Sequence, residues 1–262
     1  MNTFSAALWT ETLKLRRSKV PLFTLLGFMM MPLVGGLFMV ILKDPEAARQ
    51  MGLIGAKAEL TMGAADWPTF LNFMAQAVAA GGMVLFSIIT IWNFGREFSD
   101  HTVKELLALP TPREMIVTAK FTVVFAWCTF ISLLVYGATL LVGKWVVIPG
   151  WSGELFVRST VGILGTALLT MPLMCFAALL ASAGRGYLPS FGWTFLTLAL
   201  ANFSAVMGWG DWFPWAIPGL FSGAAGPRAE VLGLHSYVVL GVVCILGFVA
   251  TYLWWQKADQ TR

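Results

Sequence analysis

The sequence predicts an all-α integral membrane protein with six transmembrane helices, formed by one domain over residues 1–262. The first observation is composition: 58% of the 262 residues are hydrophobic and 11% are charged, whereas a soluble domain has about 45–50% and about 25%. The second is that six stretches, the shortest of 23 residues, contain no Asp, Glu, Lys or Arg. The third is that each of the three cysteines lies in such a stretch, so no disulfide framework is predicted. A soluble enzyme and a disulfide-stabilised secreted protein are therefore excluded.

The six apolar stretches give approximate boundaries for the helices. As a helix, even the shortest stretch would be roughly 35 Å long, against a hydrocarbon core of about 30 Å. Helices are expected because each satisfies its backbone polar groups within its own segment. The predicted spans are residues 20–42, 68–94, 118–143, 159–183, 187–207 and 231–255. The first span exceeds the apolar region of about 7–15 residues in a cleaved signal peptide, so we expect it to be retained.

The distribution of basic residues predicts that both termini lie in the cytoplasm. Six crossings place both termini on one side, and that side carries eleven Lys and Arg residues against six on the other. Cytoplasmic loops carry the excess of these residues. Lys14, Arg16, Arg17 and Lys19 directly precede the first span. We expect residues 1–19 to form a cytoplasmic interface segment that lies on the membrane as a helix, with Trp9 as an anchor at the interface.

The loop between the second and third spans contains two signals for the start of a helix. Thr102 is followed three residues later by Glu105, and Thr111 is followed in the same way by Glu114. This spacing is that of a capping box, in which the two side chains satisfy backbone N–H groups reciprocally. Pro112 would occupy the first helical position of the second box, where its missing N–H costs nothing.

Between these signals the sequence predicts a short helix over residues 103–109, stopped by Pro110. Val103, Leu106 and Leu107 share one face of this helix at i, i+3, i+4 spacing. An apolar face outside the membrane requires something to pack against. The pattern leaves two interpretations open: the face docks a cytosolic partner, or it lies on lipid or on neighbouring helices of the same chain.

The sequence contains no motif for catalysis, phosphate binding or metal binding. The pattern G-x-x-x-x-G-K-[ST] is missing, since Gly143 and Lys144 are followed by Trp145, and G-x-S-x-G is missing too. His101 and His235 lie far apart, without cysteine or acidic residues at ligand spacing. We therefore expect no enzyme activity, no cofactor and no metal site on this chain.

Two sets of uncharged polar residues follow helical spacing within the spans. They are Asn72, Gln76, Ser87 and Thr90 in the second span, and Ser190, Thr194, Thr197 and Ser204 in the fifth. No acid or base lies at the middle of a span, which argues against an ion-coupled carrier. Hydrogen bonding and close packing between helices explain such sets directly. The alternative is that they line a path for a substrate.

Two segments carry a resemblance to a known family. The loop after the second span contains Arg96-Glu97-Phe98-Ser99-Asp100, Thr102-Val103-Lys104, Leu106-Leu107-Ala108-Leu109-Pro110, Arg113 and Lys120. The segment before the sixth span is Trp212-Phe213-Pro214-Trp215-Ala216-Ile217-Pro218. The first resembles the first cytoplasmic loop of ABC-2 type transporter permeases, most closely the bacitracin-export and lantibiotic-immunity group. The second resembles the external segment of that family, in which short re-entrant helices dip back into the membrane.

The resemblance implies a permease subunit of an ATP-driven exporter in the bacterial inner membrane, with a cytoplasmic coupling helix between the second and third spans. It implies that an ABC ATPase subunit docks on Arg96, Glu97, Phe98, Asp100, Thr102, Val103, Leu106, Leu107 and Arg113. ATP and Mg²⁺ would then be bound by that partner. The other implied partners are membrane lipids and a second permease, either a copy of this chain or a homologue. No nucleic acid is expected.

The resemblance further implies that the second and fifth spans face the second permease, so that their polar residues would border a substrate path. An amphipathic substrate is expected, such as a peptide antibiotic or a lipid-like compound. Two alternatives stay open on the sequence: an integral-membrane enzyme that uses no nucleotide, and a membrane factor for assembly or maturation of another protein. Substrate identity, direction of transport and the choice of homodimer or heterodimer are not encoded in any pattern found.

Overall fold

The computed structural model describes residues 3–44, 63–108, 110–224 and 232–257, and within these ranges it is entirely helical. Its helices are α1 (Thr3–Arg17), α2 (Val20–Lys43), α3 (Trp67–Ser99), α4 (Val103–Leu107), α5 (Arg113–Trp145), α6 (Gly153–Thr170), α7 (Met174–Ala183), α8 (Leu188–Met207), α9 (Ile217–Phe221) and α10 (Leu234–Lys257). Short 3₁₀ turns lie at Met171–Leu173, Gly210–Trp212 and Pro214–Ala216. The predicted all-α fold class is confirmed.

Among the described residues, six helical segments are long and apolar enough to cross a membrane: α2, α3, α5, the pair α6 and α7 taken together, α8 and α10. This confirms the predicted number of spans. The largest differences from the predicted boundaries are at the end of α3, at the start of α5 and at the start of α6, where the helices extend further than predicted. Glu97 in α3 and Lys120 in α5 lie just outside the charge-free stretches 67–95 and 121–143, yet both helices continue through these residues.

Successive spans run in opposite directions between two ends of the bundle. At one end, Lys14 of α1 contacts Glu97 of α3, and the indole N–H of Trp255 in α10 donates to Ser182 Oγ at 2.9 Å. We name this the α1 end; it consists of α1, α4 and the adjoining ends of the six spans. At the opposite end, the N–H of Trp67 donates to the carbonyl of Pro149 at 3.0 Å. The described chain therefore begins and ends at the α1 end.

Buried side chains form two clusters that hold the bundle together. The larger cluster joins α2, α3, α5 and α6, with Phe28, Phe70 and Phe86 fully buried. The smaller cluster lies at the α1 end and includes Phe94 of α3 and Trp255 of α10. Large apolar side chains on the outside of the spans stay exposed, as expected for surfaces that face lipid.

A proline interrupts the fourth span. Pro172 lies in the 3₁₀ turn Met171–Leu173, which separates α6 from α7. Because proline has no N–H and its ring collides with the preceding turn, the α-helical hydrogen bonds cannot continue through it. The fourth span is therefore divided into two α-helical segments, α6 and α7.

The two predicted capping boxes are wrong. Thr102 precedes α4, but its φ of −95° and ψ of 2° lie outside the extended region that an N-cap requires, and its side chain makes no capping hydrogen bond. Its N–H instead donates to Glu97 O at 2.9 Å, in the tight turn that ends α3. Pro112 takes the N-cap position of α5 itself, so this helix begins at Arg113, one residue later than predicted.

The orientation of the bundle stays a prediction, and labelling of introduced cysteines tests it. Lys104 lies exposed at the α1 end and Lys144 lies exposed at the opposite end. In a variant without the three native cysteines, we expect a membrane-impermeant maleimide to label Lys144→Cys on intact cells and Lys104→Cys only after permeabilisation. Labelling of position 104 on intact cells would reverse the orientation. The external positions Lys57 and Arg228, which offer the same test, lie outside the described residues.

Candidate functional site

Helix α1 brings a carboxylate into the interior of the protein. Its buried residues, Ala7, Glu11 and Leu15, recur every four positions and so form one face of the helix, while Trp9 on another face is 61% exposed. Glu11 is only 3% exposed. A buried carboxylate is stable only when it is paired and hydrogen-bonded.

Lys120 of α5 is one partner of this carboxylate. Its side chain is fully buried, and Nζ lies 3.1 Å from Glu11 Oε2, 2.7 Å from Glu97 Oε1 and 2.8 Å from the carbonyl of Asn93. An ammonium group has three N–H donors, so these three acceptors satisfy it completely. The ring centroid of Phe94 lies 5.9 Å from Nζ, within the range of a cation–π contact.

Lys14 completes the arrangement from α1. Its Nζ lies 2.6 Å from Glu11 Oε1 and 3.0 Å from Glu97 Oε1. Glu11, Lys14, Glu97 and Lys120 thus form a cluster of two acids and two bases, which we name the ionic cluster. Its net charge is zero, which offsets part of the desolvation penalty of burying four charges. It fixes α1 against both α3 and α5.

The apolar face of α4 packs on the same chain. Val103 and Leu106 are buried in the cluster that contains Phe98 and Trp255, and Leu107 packs against that cluster. The sequence leaves two interpretations of this face open. In this structure the face packs on neighbouring helices of its own chain. Among the described residues of the loop, the exposed ones are polar or small: Ser99, Asp100, His101, Lys104, Glu105, Ala108 and Pro110.

The predicted docking residues fall into two groups by exposure. Arg96, Thr102, Leu107 and Arg113 are half-buried and Asp100 is exposed, whereas Glu97, Phe98, Val103 and Leu106 are buried. Glu97 is one of the residues expected to dock the ATPase. In the structure its carboxylate contacts Lys14 and Lys120 of its own chain, and its contact with a partner stays a prediction.

Two of the half-buried arginines are held within the chain. Arg96 Nε lies 3.1 Å from Asp100 Oδ2, and the guanidinium lies over the ring of Trp92. Arg113 Nη1 donates to the carbonyls of Trp255 and Gln256 at 3.2 and 3.3 Å, which satisfies acceptors at the end of α10. The loop is therefore bonded at its first residues to α3 and at its last residues to α10.

Most of the uncharged polar residues in the second and fifth spans lie inside the chain. Ser190, Thr194, Thr197 and Ser204 of α8 and Ser87 and Thr90 of α3 are all buried. Ser190 Oγ donates to the carbonyl of Ala177 in α7 at 2.8 Å, and Thr194 Oγ1 donates to a carbonyl of its own helix. In this structure these six residues are therefore packed between helices of the chain. Asn72 is exposed and Gln76 is half-buried, so these two reach the surface.

A cavity of about 350 Å³ opens beside Gln76, between α3, α8 and α9. Asn202 of α8 lies on its wall, and the other lining residues are apolar, among them Met83 and Trp215. The volume is within the range of small-molecule sites, which combine apolar walls with a few polar groups. Two amide side chains in an apolar wall suit a ligand that has both apolar and polar parts.

The segment before α10 does not cross the bundle. It consists of the two 3₁₀ turns Gly210–Trp212 and Pro214–Ala216 followed by α9, and Trp215 and Ile217 are buried within it. His235 Nε2 lies 2.9 Å from Asp211 Oδ2, which joins the segment to the first turn of α10. Short helices are confirmed here, and their depth in a membrane stays a prediction.

Three residues of the ionic cluster were missed by the sequence analysis as candidate residues: Glu11, Lys14 and Lys120. One signal for Glu11 was present, because it shares a helical face with Ala7 and Leu15. A signal for Lys120 was its place within a continuous helical pattern, since Ile116 and Val117 precede it by one turn and are buried. Neither signal shows which acid meets which base.

Comparison with known proteins identifies the class. The profile described as "ABC-2 family transporter protein" matches residues 7–201, which include nearly all of α1 and all helices up to α7 and most of α8. The chain belongs to this family of transport permeases. The bacitracin transport permease protein BCRB of Bacillus licheniformis is 26% identical over 196 residues, which cover 73% of this chain and 91% of that protein. No solved structure matches the chain.

Family membership confirms the resemblance derived from the loop after the second span. Members are transporter permease subunits, which are not themselves enzymes and which work with an ABC ATPase subunit. With six apolar helices, the chain is a multi-pass membrane protein of the type found in the bacterial inner membrane. The segment from Trp212 to Pro218 and α10 lie outside the matched range, so they contribute nothing to this identification.

Proposed function

We propose that this chain is the membrane subunit of an ATP-driven exporter for an amphipathic substrate, such as a peptide antibiotic or a lipid-like compound. ATP and Mg²⁺ bind to a separate ATPase subunit, and two permeases pair in the membrane. The observation that carries the proposal is the structure of the loop between α3 and α5. The described residues of this loop present a polar surface outward and pack inward on α3, α5 and α10, and Glu97 in the last turn of α3 pairs with α1 and α5.

The ATPase docks on the outward surface of the loop rather than on the apolar face of α4. Asp100, His101, Lys104 and Glu105 are exposed there, within six residues of one another in sequence. Charges of both signs allow the partner to recognise the surface by complementary ion pairs, which set specificity and the rate of association. His101 has a φ of 57°, which fixes the sharp turn that presents this surface.

Movement of α4 reaches the interior through two rigid connections. Val103 and Leu106 transmit it to Phe98 and Trp255 by packing. One residue before Phe98, Glu97 transmits it to α1 and α5 through the ionic cluster. Packed side chains and buried ion pairs resist continuous deformation, so a displaced loop carries the ends of these helices with it.

Exchange of the two charges on α4 tests the docking surface. We expect Lys104→Glu combined with Glu105→Lys to weaken association with the ATPase at least tenfold, because each new charge meets a like charge on the partner. Thermal stability should stay within about 0.5 kcal/mol of the wild type, since both residues are exposed. Co-purification with the ATPase and transport are measured.

The matched control exchanges the charges of Glu154 and Arg158, which are exposed at the opposite end of the bundle. This variant should associate with the ATPase and transport normally. Full association and transport by the variant of Lys104 and Glu105 would place the docking site elsewhere and remove the basis of the proposed coupling.

The substrate contacts the cavity beside Gln76, which α3 and α8 border. We expect Gln76→Leu and Asn202→Leu to reduce transport several-fold while ATPase association is kept, because the cavity loses its two polar groups. Thr194→Val and Thr197→Val should cost about 1 kcal/mol in stability and leave transport unchanged, since they remove hydroxyls that bond within α8. Impaired transport by the two threonine variants at unchanged stability would show instead that the buried residues of α8 line the path.

A further inference from the structure

A groove of about 660 Å³ lies between α1 and the outer surface of α5, on a side of the bundle that the proposed transport mechanism does not use. Helix α1 contributes Leu15 and Arg16 to it, and α5 contributes Val123, Ala126, Trp127 and Phe130. From Thr122 to Phe130, which both line the groove, the length along α5 is about 12 Å. The groove therefore begins at the α1 end and runs along a membrane-spanning helix towards the interior of the membrane.

Judged on the described residues, the groove has one free cation at its rim and no free donor among the polar side chains within it. Arg16 is exposed and makes no hydrogen bond or ion pair with any of the residues that the structure describes. The indole N–H of Trp127 already donates to Thr24 Oγ1 at 3.1 Å. The hydroxyls of Thr12 and Thr122 donate to carbonyls of their own helices at 2.7 and 2.8 Å. A ligand in the groove can therefore bind the guanidinium of Arg16 at the rim and contact apolar side chains further along α5.

We propose that this groove binds an anionic phospholipid of the leaflet next to α1, with its phosphate on Arg16 and one acyl chain along α5. A guanidinium binds phosphate oxygens through two parallel hydrogen bonds, which suits a headgroup at this depth. Arg17 and Lys19 are also exposed beside it, so the local charge favours a lipid with net negative charge over a zwitterionic one. A soluble partner is disfavoured because the groove runs along a transmembrane helix.

This lipid is distinct from a transported substrate. The groove shares no lining residue with the cavity beside Gln76, which lies between α3, α8 and α9. Leu15 and Arg16 directly follow Lys14 of the ionic cluster, and Leu15 lies on the buried face of α1 that also carries Glu11. The bound lipid therefore packs beside the part of α1 that the ionic cluster fixes to α3 and α5. The lipid therefore acts as a structural ligand of α1, whatever the permease transports.

Lipid retention by the purified protein tests the proposal. Protein in detergent is mixed with dioleoylphosphatidylglycerol or dioleoylphosphatidylcholine, and bound lipid is counted by native mass spectrometry. We expect the wild type to hold the anionic lipid at least about tenfold more tightly, and Arg16→Gln to lose this preference. The control is Arg17→Gln, which removes the same charge one residue further on. Arg17 lines a different cavity, together with Lys14 and Arg96, so this variant should keep most of the preference for the anionic lipid.

A second variant tests the acyl-chain part of the groove with Arg16 intact. Ala126→Phe fills the groove and should reduce retention of the anionic lipid several-fold, whereas Leu133→Phe on the exposed surface of α5 outside the groove should not. A phosphatidylglycerol with a diazirine in its acyl chain should cross-link within residues 122–130. Equal retention of both lipids by the wild type, no effect of Arg16→Gln, or cross-links confined to other segments would each overturn the proposal.

Discussion

Replacement of Lys120 by methionine is expected to lower the free energy of unfolding by about 3–5 kcal/mol, the cost of leaving buried charges without their partner. The side chain of Lys120 is fully buried and contacts both Glu11 and Glu97. Methionine preserves most of the volume of the side chain, so the loss reports on charge rather than on a cavity. Thermal or denaturant unfolding of the purified protein in detergent measures it.

Two further variants define the origin of that loss. Lys144→Met makes the same change at the exposed end of the same helix and should shift stability by less than about 0.5 kcal/mol. Adding Glu97→Gln to Lys120→Met should recover part of the loss, because Glu11 and Lys14 then form a neutral pair. Equal stability of the Lys120 and Lys144 variants would mean that the ionic cluster does not hold the helices together.

The double variant Leu106→Asp, Leu107→Asp is expected to lose both stability and association with the ATPase. Leu106 is buried against the cluster that contains Phe98 and Trp255, where an unpaired carboxylate is costly. Loss of the leucine contacts alone costs about 2–5 kcal/mol. Unfolding measurements and co-purification with the ATPase are made on the same preparations, with Leu106→Met as the conservative control.

Comparing the aspartate variant with the charge exchange at Lys104 and Glu105 distinguishes an effect on internal packing from an effect on ATPase docking. The exchange should reduce association and keep stability, whereas the aspartate variant should reduce both together. If the aspartate variant keeps the stability of the wild type and loses only the ATPase, the apolar face of α4 is itself the docking surface. The interpretation of that face as internal packing would then be wrong.

The six spans were predictable because a helix in lipid requires a long apolar stretch, and the chain contains six. Their ends were less predictable. Glu97 and Lys120 look like the borders of spans when charges are counted one by one, yet both lie within continuous helices because they neutralise each other. Pairing between distant residues is a property of the fold, and a single sequence does not display it.

The sequence predicts where the short helix of the candidate site lies, but it does not predict which surface the apolar face of that helix contacts. The pattern of Val103, Leu106 and Leu107 predicts a short amphipathic helix over residues 103–109, and α4 confirms the helix over Val103–Leu107. What covers the apolar face depends on Phe98 and on Trp255, which comes from the far end of the chain. The capping boxes failed for a related reason, because capping depends on the backbone angles of Thr102, which are set by the turn that ends α3.

The ionic cluster also constrains the order in which the chain assembles. Glu97 and Lys120 are 23 residues apart, so they can meet as soon as α3 and α5 form a hairpin. Glu11 and Lys120 are 109 residues apart. Until α5 has been synthesised, Glu11 has only Lys14 of its own helix as a partner, a pairing that an isolated helix on the membrane surface provides equally well. Helix α1 precedes the spans in sequence, yet it reaches its final position only after α5 has formed, and any defect in the α3–α5 hairpin leaves α1 undocked.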